Sequence, residues 1–229
     1  DGSSLAGHLV TMQAHYHRLL RCRLENVASP SWAVYLASGT NNNGPVFRDL
    51  IIRNVYGGIR LVGGSGAAIS VQHPRIDNVI INGLDAGGGT YGLYLQYSYG
   101  GEIRSLMMDD AGVEAIRIEE QVQDIAFYNL SIETPNNTTV PIISIDGSTT
   151  ATSTHGINFI DTFISNTANI TATHYFIKVA YADNVKFDGL NLQHSTGTWA
   201  DLTHTAIKTD TVNYLTIENV NVTTAIASF

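Results

Sequence analysis

Three observations predict that this sequence is an all-β chain wound as a right-handed parallel β-helix. A short apolar pattern recurs along the whole chain at nearly regular intervals. A second run of alternating apolar and free positions lies between successive copies. The composition is that of strands and bends, with 21 Gly, abundant Thr, Ser and Asn, 44% apolar residues and only 14% charged ones.

The recurring pattern is apolar, free, apolar, free, a small or turn-forming residue, and then usually apolar again. It is spelled "CRLENV" (22–27), "LIIRNV" (50–55), "VIINGL" (79–84), "LMMDDA" (106–111), "IAFYNL" (125–130), "INFIDT" (157–162), "VKFDGL" (185–190) and "LTIENV" (215–220). The fifth slot holds Asn26, Asn54, Gly83, Asp110, Asn129, Asp161, Gly189 and Asn219. These positions are almost evenly spaced, apart from one short interval between Asp110 and Asn129. Gly lacks a Cβ, and Asn and Asp bond their own backbone locally, so each of these residues suits a strand that ends in a bend.

The second run reads "AVYLAS" (33–38), "GIRLVG" (58–63), "GLYLQY" (92–97), "AIRIEE" (115–120), "IISIDG" (142–147), "FIKVAY" (176–181) and "AIKTDT" (206–211). Its period of two marks half-buried strands. A unit of two short strands cannot bury its apolar face alone. Stacking units along one axis packs Leu, Ile and Val from coil to coil and pairs each strand with its equivalent about 4.8 Å away. The expectation is a single solenoid domain over 1–229, of about eight coils of about 28 residues. "GHLVTM" (7–12) reads as a strand of the second kind already under way, and neither end shows a polar cap, so the chain reads as a piece of a longer one. The later connections, 133–141, 165–174 and 193–204, are the long ones.

A net charge of −8 argues against nucleic acid or an anionic membrane as partner. No apolar window of about 18 residues could cross a bilayer as a helix. Lone Cys22 falls in an apolar slot and is expected to be a buried thiol.

Strand alternation sends the free positions outward. On the second run the first outward slot reads Tyr35, Arg60, Tyr94, Arg117, Ser144, Lys178, Lys208, and the next reads Ala37, Val62, Gln96, Glu119, Asp146, Ala180, Asp210. Stacking would align these from coil to coil. Tyr35, Arg60, Tyr94, Gln96 and Lys178 would then offer rings, an amide and cations to a polysaccharide. Glu119 and Asp146 would sit in neighbouring coils, where two close carboxyls push their proton affinities apart, the division of labour that glycoside hydrolysis needs. Arg117 would hold the ionised member or an acidic sugar substituent. The same residues also read as a solvated face with an Arg–carboxylate surface pair, and the sequence leaves both readings open. Glu120 and Asp124, in the short interval before Asn129, mark a further expected groove rim; His8, His15 and His17 read as surface or packing residues.

On the first pattern the leading outward slot reads Arg23, Ile51, Ile80, Met107, Ala126, Asn158, Lys186, Thr216. Four successive apolar residues, Ile51 to Ala126, predict a covered face.

With its repeated apolar ladders and turn residues, the chain resembles the pectate-lyase-like β-helix superfamily over nearly its whole length, and within it the phage tailspikes. That resemblance implies a trimer associated about its long axis, on a virion tail or at an extracellular surface. Such a trimer would bind, and as a glycoside hydrolase cleave, a bacterial surface polysaccharide through Glu119, Asp146 and Arg117. It also admits a polysaccharide lyase, with Arg117 and Lys178 facing a uronate and Tyr94 near its C5 proton, or a non-catalytic shaft. No acidic cluster like the calcium site of that family is found, so neither metal nor cofactor is expected.

Overall fold

The computed structural model describes residues 7–13, 15–36, 42–64, 70–84, 91–109, 114–134, 140–149, 153–166, 175–194 and 205–224. Asp110, Ala37 and most of the long connections lie outside them. The strands are β1 (Val10–Met12), β2 (Arg18–Leu20), β3 (Arg23–Leu36), β4 (Asn42–Asn43), β5 (Val46–Val62), β6 (Val71–Gln72), β7 (Arg75–Leu84) and β8 (Leu93–Gln96). They continue as β9 (Ser98–Asp109), β10 (Ile116–Glu119), β11 (Gln123–Thr134), β12 (Ile143–Asp146), β13 (Thr154–Asn166), β14 (Tyr175–His194), β15 (Thr205–Glu218) and β16 (Asn221–Thr224).

Every pairing between them is parallel, and each joins one turn to the next, as in β3 with β5, β11 with β13, and β14 with β15. The chain is a parallel β-solenoid of about six turns. That is slightly fewer than the about eight expected.

Four ladders run along the axis. The first carries the second sequence run, in the register Val34, Ile59, Leu93, Ile116, Ile143, Ile177, Ile207. The second is short and passes through Asn43, Gln72, Tyr99, Gln123, His155, Asp183 and Asn213. The third passes through Phe47, Ile76, Ile103, Phe127, Phe159, Phe187 and Ile217. The fourth passes through Ile52, Ile81, Met108, Ile132, Ile164, Leu192 and Val222.

Left-handed residues turn the corners, and two columns of them run the length of the described stack. Tyr16, Gly44, His73, Gly100, Asp124, Gly156, Asn184 and Tyr214 separate the second ladder from the third, with φ between 50° and 68°. Arg21, Asp49, Asn78, Ser105, Asn129, Asp161, Gly189 and Asn219 separate the third from the fourth, with φ between 50° and 70°. Gly, Asn and Asp dominate because other side chains meet the backbone in this region.

This register corrects the sequence alignment. Copies 22–27, 50–55, 79–84 and 106–111 lie on the fourth ladder, whereas 125–130, 157–162, 185–190 and 215–220 lie on the third. Met107 therefore pairs with Ser131, and Ala126 pairs with Glu102. The short interval between Asp110 and Asn129 is a step from one ladder to the other. The same corner recurs at Ser105 and Asn129, so that turn is only a little shorter than its neighbours. The groove rim expected around Glu120 and Asp124 therefore needs no short coil, and a cavity borders the adjacent Gln121 and Gln123. The outward apolar column shortens to Ile51, Ile80 and Met107, then continues through Ser131 to Phe163.

Inward columns of the middle rungs are closed to water, whereas Val10, Leu19 and Leu24 on the first rungs are half-buried. Ile118 and Ile145 are fully buried, as are Phe47, Phe127 and Phe187. Within the third ladder, Phe127 and Phe159 stack with ring centroids 4.4 Å apart, and Phe159 and Phe187 follow at 5.1 Å. Ile217 and Val222, on the final described rungs, stand 45% and 49% exposed because no further described rung lies over them. Cys22 is a half-buried free thiol rather than a fully buried one, its Sγ facing the Leu20 carbonyl at 3.2 Å.

Candidate functional site

The outward rows of the first ladder stack as the alternation requires. Tyr35, Arg60, Tyr94, Arg117, Ser144, Lys178 and Lys208 form one column, and Val62, Gln96, Glu119, Asp146, Ala180 and Asp210 the next. A further column lies three residues before the first on each rung. Trp32 there pairs with Gly57, and the Gly58 amide bonds the Tyr91 carbonyl, which places Tyr91 and then Glu114 in line. Gly57 is what lets the indole lie across its neighbour: a Cβ there would stand 2.7 Å from Trp32 Cδ2.

At the N-terminal end these columns build an aromatic box around a cation. The Arg60 guanidinium carbon sits 5.6 Å from the Trp32 ring, 5.4 Å from Tyr35 and 5.2 Å from Tyr94. Tyr91 packs on Tyr94 at 5.4 Å and on Trp32 at 6.3 Å. The box is closely packed, with Trp32 only 5% and Tyr94 8% exposed. Arg60 Nε is buried with no hydrogen-bond partner among the described residues. His8 stacks on Tyr35 at 4.3 Å and its Nδ1 accepts the Trp32 amide. Burial, and then the charge of Arg60, hold the His8 imidazole below its ordinary pKa, so it is neutral.

Two rungs further on is an acid network centred on Arg117. Its Nε and Nη2 lie 2.8 and 2.7 Å from Glu119 Oε1, and its Nη1 reaches Glu114 at 3.1 Å and Ser144 Oγ at 3.1 Å. The Tyr94 hydroxyl donates to Glu119 Oε2. Burial, and then that hydrogen bond, push the Tyr94 phenol well above its usual range. Glu114 is nearly closed to solvent, and burial raises its carboxyl to about 7 against the opposing pull of Arg117.

A carboxyl with a higher pKa in the folded than in the unfolded chain binds more protons when folded. The contribution of Glu114 to stability therefore falls as pH rises from about 4.5 through about 7.

Asp146 lies beside Glu119 in register but turns to other partners: Lys178 Nζ donates to Oδ2 at 2.9 Å and the Ser148 amide to Oδ1 at 2.9 Å. Burial opposes its ionisation, but these two bonds outweigh it and hold the carboxyl below the usual range. Gln96 instead donates to Glu120 at 2.9 Å, as does Tyr97 at 2.6 Å.

No family model, curated protein or solved structure matches the chain. What the site can do rests on its own chemistry. Of the residues singled out from sequence, Tyr35, Arg60 and Tyr94 share the aromatic box. Tyr94 also joins Arg117 and Glu119, Asp146 pairs with Lys178 alongside, and Gln96 stands at the edge. Trp32, Tyr91 and Glu114 escaped sequence reading because they stand three residues before Tyr35, Tyr94 and Arg117, out of step with a period of two. His8, taken as surface or packing, is a wall of the box. Among the described residues no three His, Cys, Asp or Glu side chains converge as metal ligands.

Proposed function

We propose that the outward face of the first ladder binds a bacterial surface polysaccharide and hydrolyses it, in the manner of the tailspike-like proteins this chain resembles. One observation carries this reading: two carboxyls on neighbouring rungs, Glu114 and Asp146, stand in environments that push their proton affinities in opposite directions, and the charge of Arg117 reaches both. Glu114 is the proton donor to the glycosidic oxygen, because burial lifts its carboxyl to about 7 and it still carries a proton in part of the molecules near neutrality. Asp146 stays ionised and activates water or attacks the sugar directly. Glu119, bonded on both oxygens by Arg117 and Tyr94, fixes the guanidinium in place. The acid role read from sequence for Glu119 thus passes to Glu114. Arg60, with an unused buried donor among aromatic rings, recognises an acidic substituent on the chain.

A lyase is less well supported. Tyr94 is tied to Glu119 with its phenol hard to ionise, and Arg117 and Lys178 are each held by a carboxylate.

Purified surface polysaccharides incubated with the protein should release reducing ends, and Glu114→Gln and Asp146→Asn should each slow that release by about 10²–10⁴-fold. Products with a new ultraviolet-absorbing double bond would point to a lyase. Binding without any cleavage would leave a non-catalytic shaft.

The column Ile51, Ile80 and Met107, with Met107 47% exposed, supports the accompanying proposal that three copies associate along this face. The mass in solution is then expected to be three times that of one chain, and to fall to that of one chain in Met107→Lys. A wild-type monomer at micromolar concentration removes this part of the proposal.

A further inference from the structure

The second ladder carries a concave surface that neither the fold nor the proposed catalytic face uses. A cavity of about 610 Å³ spans four rungs and is lined by Ser70, Gln72, Tyr99, Gln121, Gln123, Ser153 and His155. That is the size of a small-molecule or oligosaccharide site. Gln72, Tyr99, Gln123 and His155 are direct register neighbours, so their side chains repeat along the groove at the strand spacing of about 4.8 Å.

Its chemistry differs from that of the charged outward columns and from that of the apolar one at Ile51, Ile80 and Met107. Elsewhere charged side chains pair: Arg48 with Asp77, Arg104 with Glu102, Lys186 with Asp188 and Glu218, Lys178 with Asp146. No Asp, Glu, Lys or Arg is among the described residues that line this groove. Gln72 bonds Ser70 at 3.1 Å, but Tyr99, Gln121, Gln123, Ser153 and His155 make no side-chain hydrogen bond to any described residue. Two primary amides, a phenol, a hydroxyl and an imidazole thus face one cleft with their donors and acceptors unused. An anion or cation would find no counter-charge there. An extended peptide would find no apolar pockets for alternate side chains. A hydroxyl-rich neutral ligand matches amides, which both donate and accept, and the Tyr99 ring gives its apolar face a surface to lie on.

We infer that this groove is a second glycan site, binding a neutral oligosaccharide along the solenoid axis. It lies on a different ladder from Glu114 and Arg117 and has the opposite preference to a face built around cations, so the two sites can fail independently.

The test is a titration of the full chain, followed by the Gln side-chain amide signals in nitrogen-15 NMR spectra. The probes are hexasaccharides of glucose, of N-acetylglucosamine and of galactose, with a hexagalacturonate and a tetra-serine peptide as contrasts. At least one neutral hexasaccharide should shift the amides of Gln72, Gln121 and Gln123 at millimolar concentration. The Gln121→Ala/Gln123→Ala double variant and Tyr99→Ala should each weaken that binding about tenfold or more, and Glu114→Gln should leave it unchanged. These side chains point outward, and circular dichroism confirms that the variants keep their strands. The inference is overturned if no neutral sugar moves those amides, if only the uronate or the peptide does, or if affinity survives the double variant.

Discussion

Phe159→Ala is expected to destabilise the protein by about 3–5 kcal/mol, among the largest effects available from a single core change. Phe159 is 1% exposed and sits between Phe127 and Phe187, so truncation strips a ring from two stacked contacts at once and leaves a void that rigid rungs above and below cannot close. In a stacked repeat each rung is held by its two neighbours, so the loss falls on both interfaces of this rung. Urea unfolding measures it as a lower midpoint with little change in slope. Met107→Ala, on the outward side of the fourth ladder, should cost no more than about 0.5 kcal/mol in the monomer. Equal losses at the two positions would mean that the phenylalanine stack has no special role.

The second large effect is expected from Arg117→Met. Its guanidinium touches Glu114 and Glu119, with side chains only 9% and 21% exposed. Removing the cation leaves buried carboxylates without a partner, a loss of about 3–5 kcal/mol in comparable cases. The part due to Glu114 depends on pH. Above about 7 this residue is charged in the fold and its stranding is felt in full. Towards pH 5 it is already protonated and needs no partner, so the gap between variant and wild type should narrow. Urea midpoints at pH 5 and pH 8 check this. A gap of the same size at both pH values would show that Glu114 is ionised throughout.

Sequence reading reached the architecture and the first ladder in detail, because apolar alternation fixes which side chains point inward and stacking fixes which of them meet. Arg60, Tyr94, Arg117, Ser144 and Lys178 fall in one column as the alternation requires. It failed to separate the third ladder from the fourth. Ile125 to Leu130 and Leu50 to Val55 have the same alternation around the same kind of bend residue, so one template fits both, and only backbone pairing tells them apart. Glu114 was missed for a different reason. Nothing in its neighbourhood marks a buried acid until the preceding turn lays Tyr91 in line with it.

One regularity has a bearing on how this molecule can change. From Tyr16 and Arg21 through Tyr214 and Asn219, the spacing between the two left-handed corners is identical in every turn, whereas whole turns differ in length. Growth and shrinkage are thus channelled into the connections that flank the first ladder. The outward chemistry can be rewritten there by grafting new segments beside the columns of the first ladder. A single deletion inside the constant arc would turn a rung inside out.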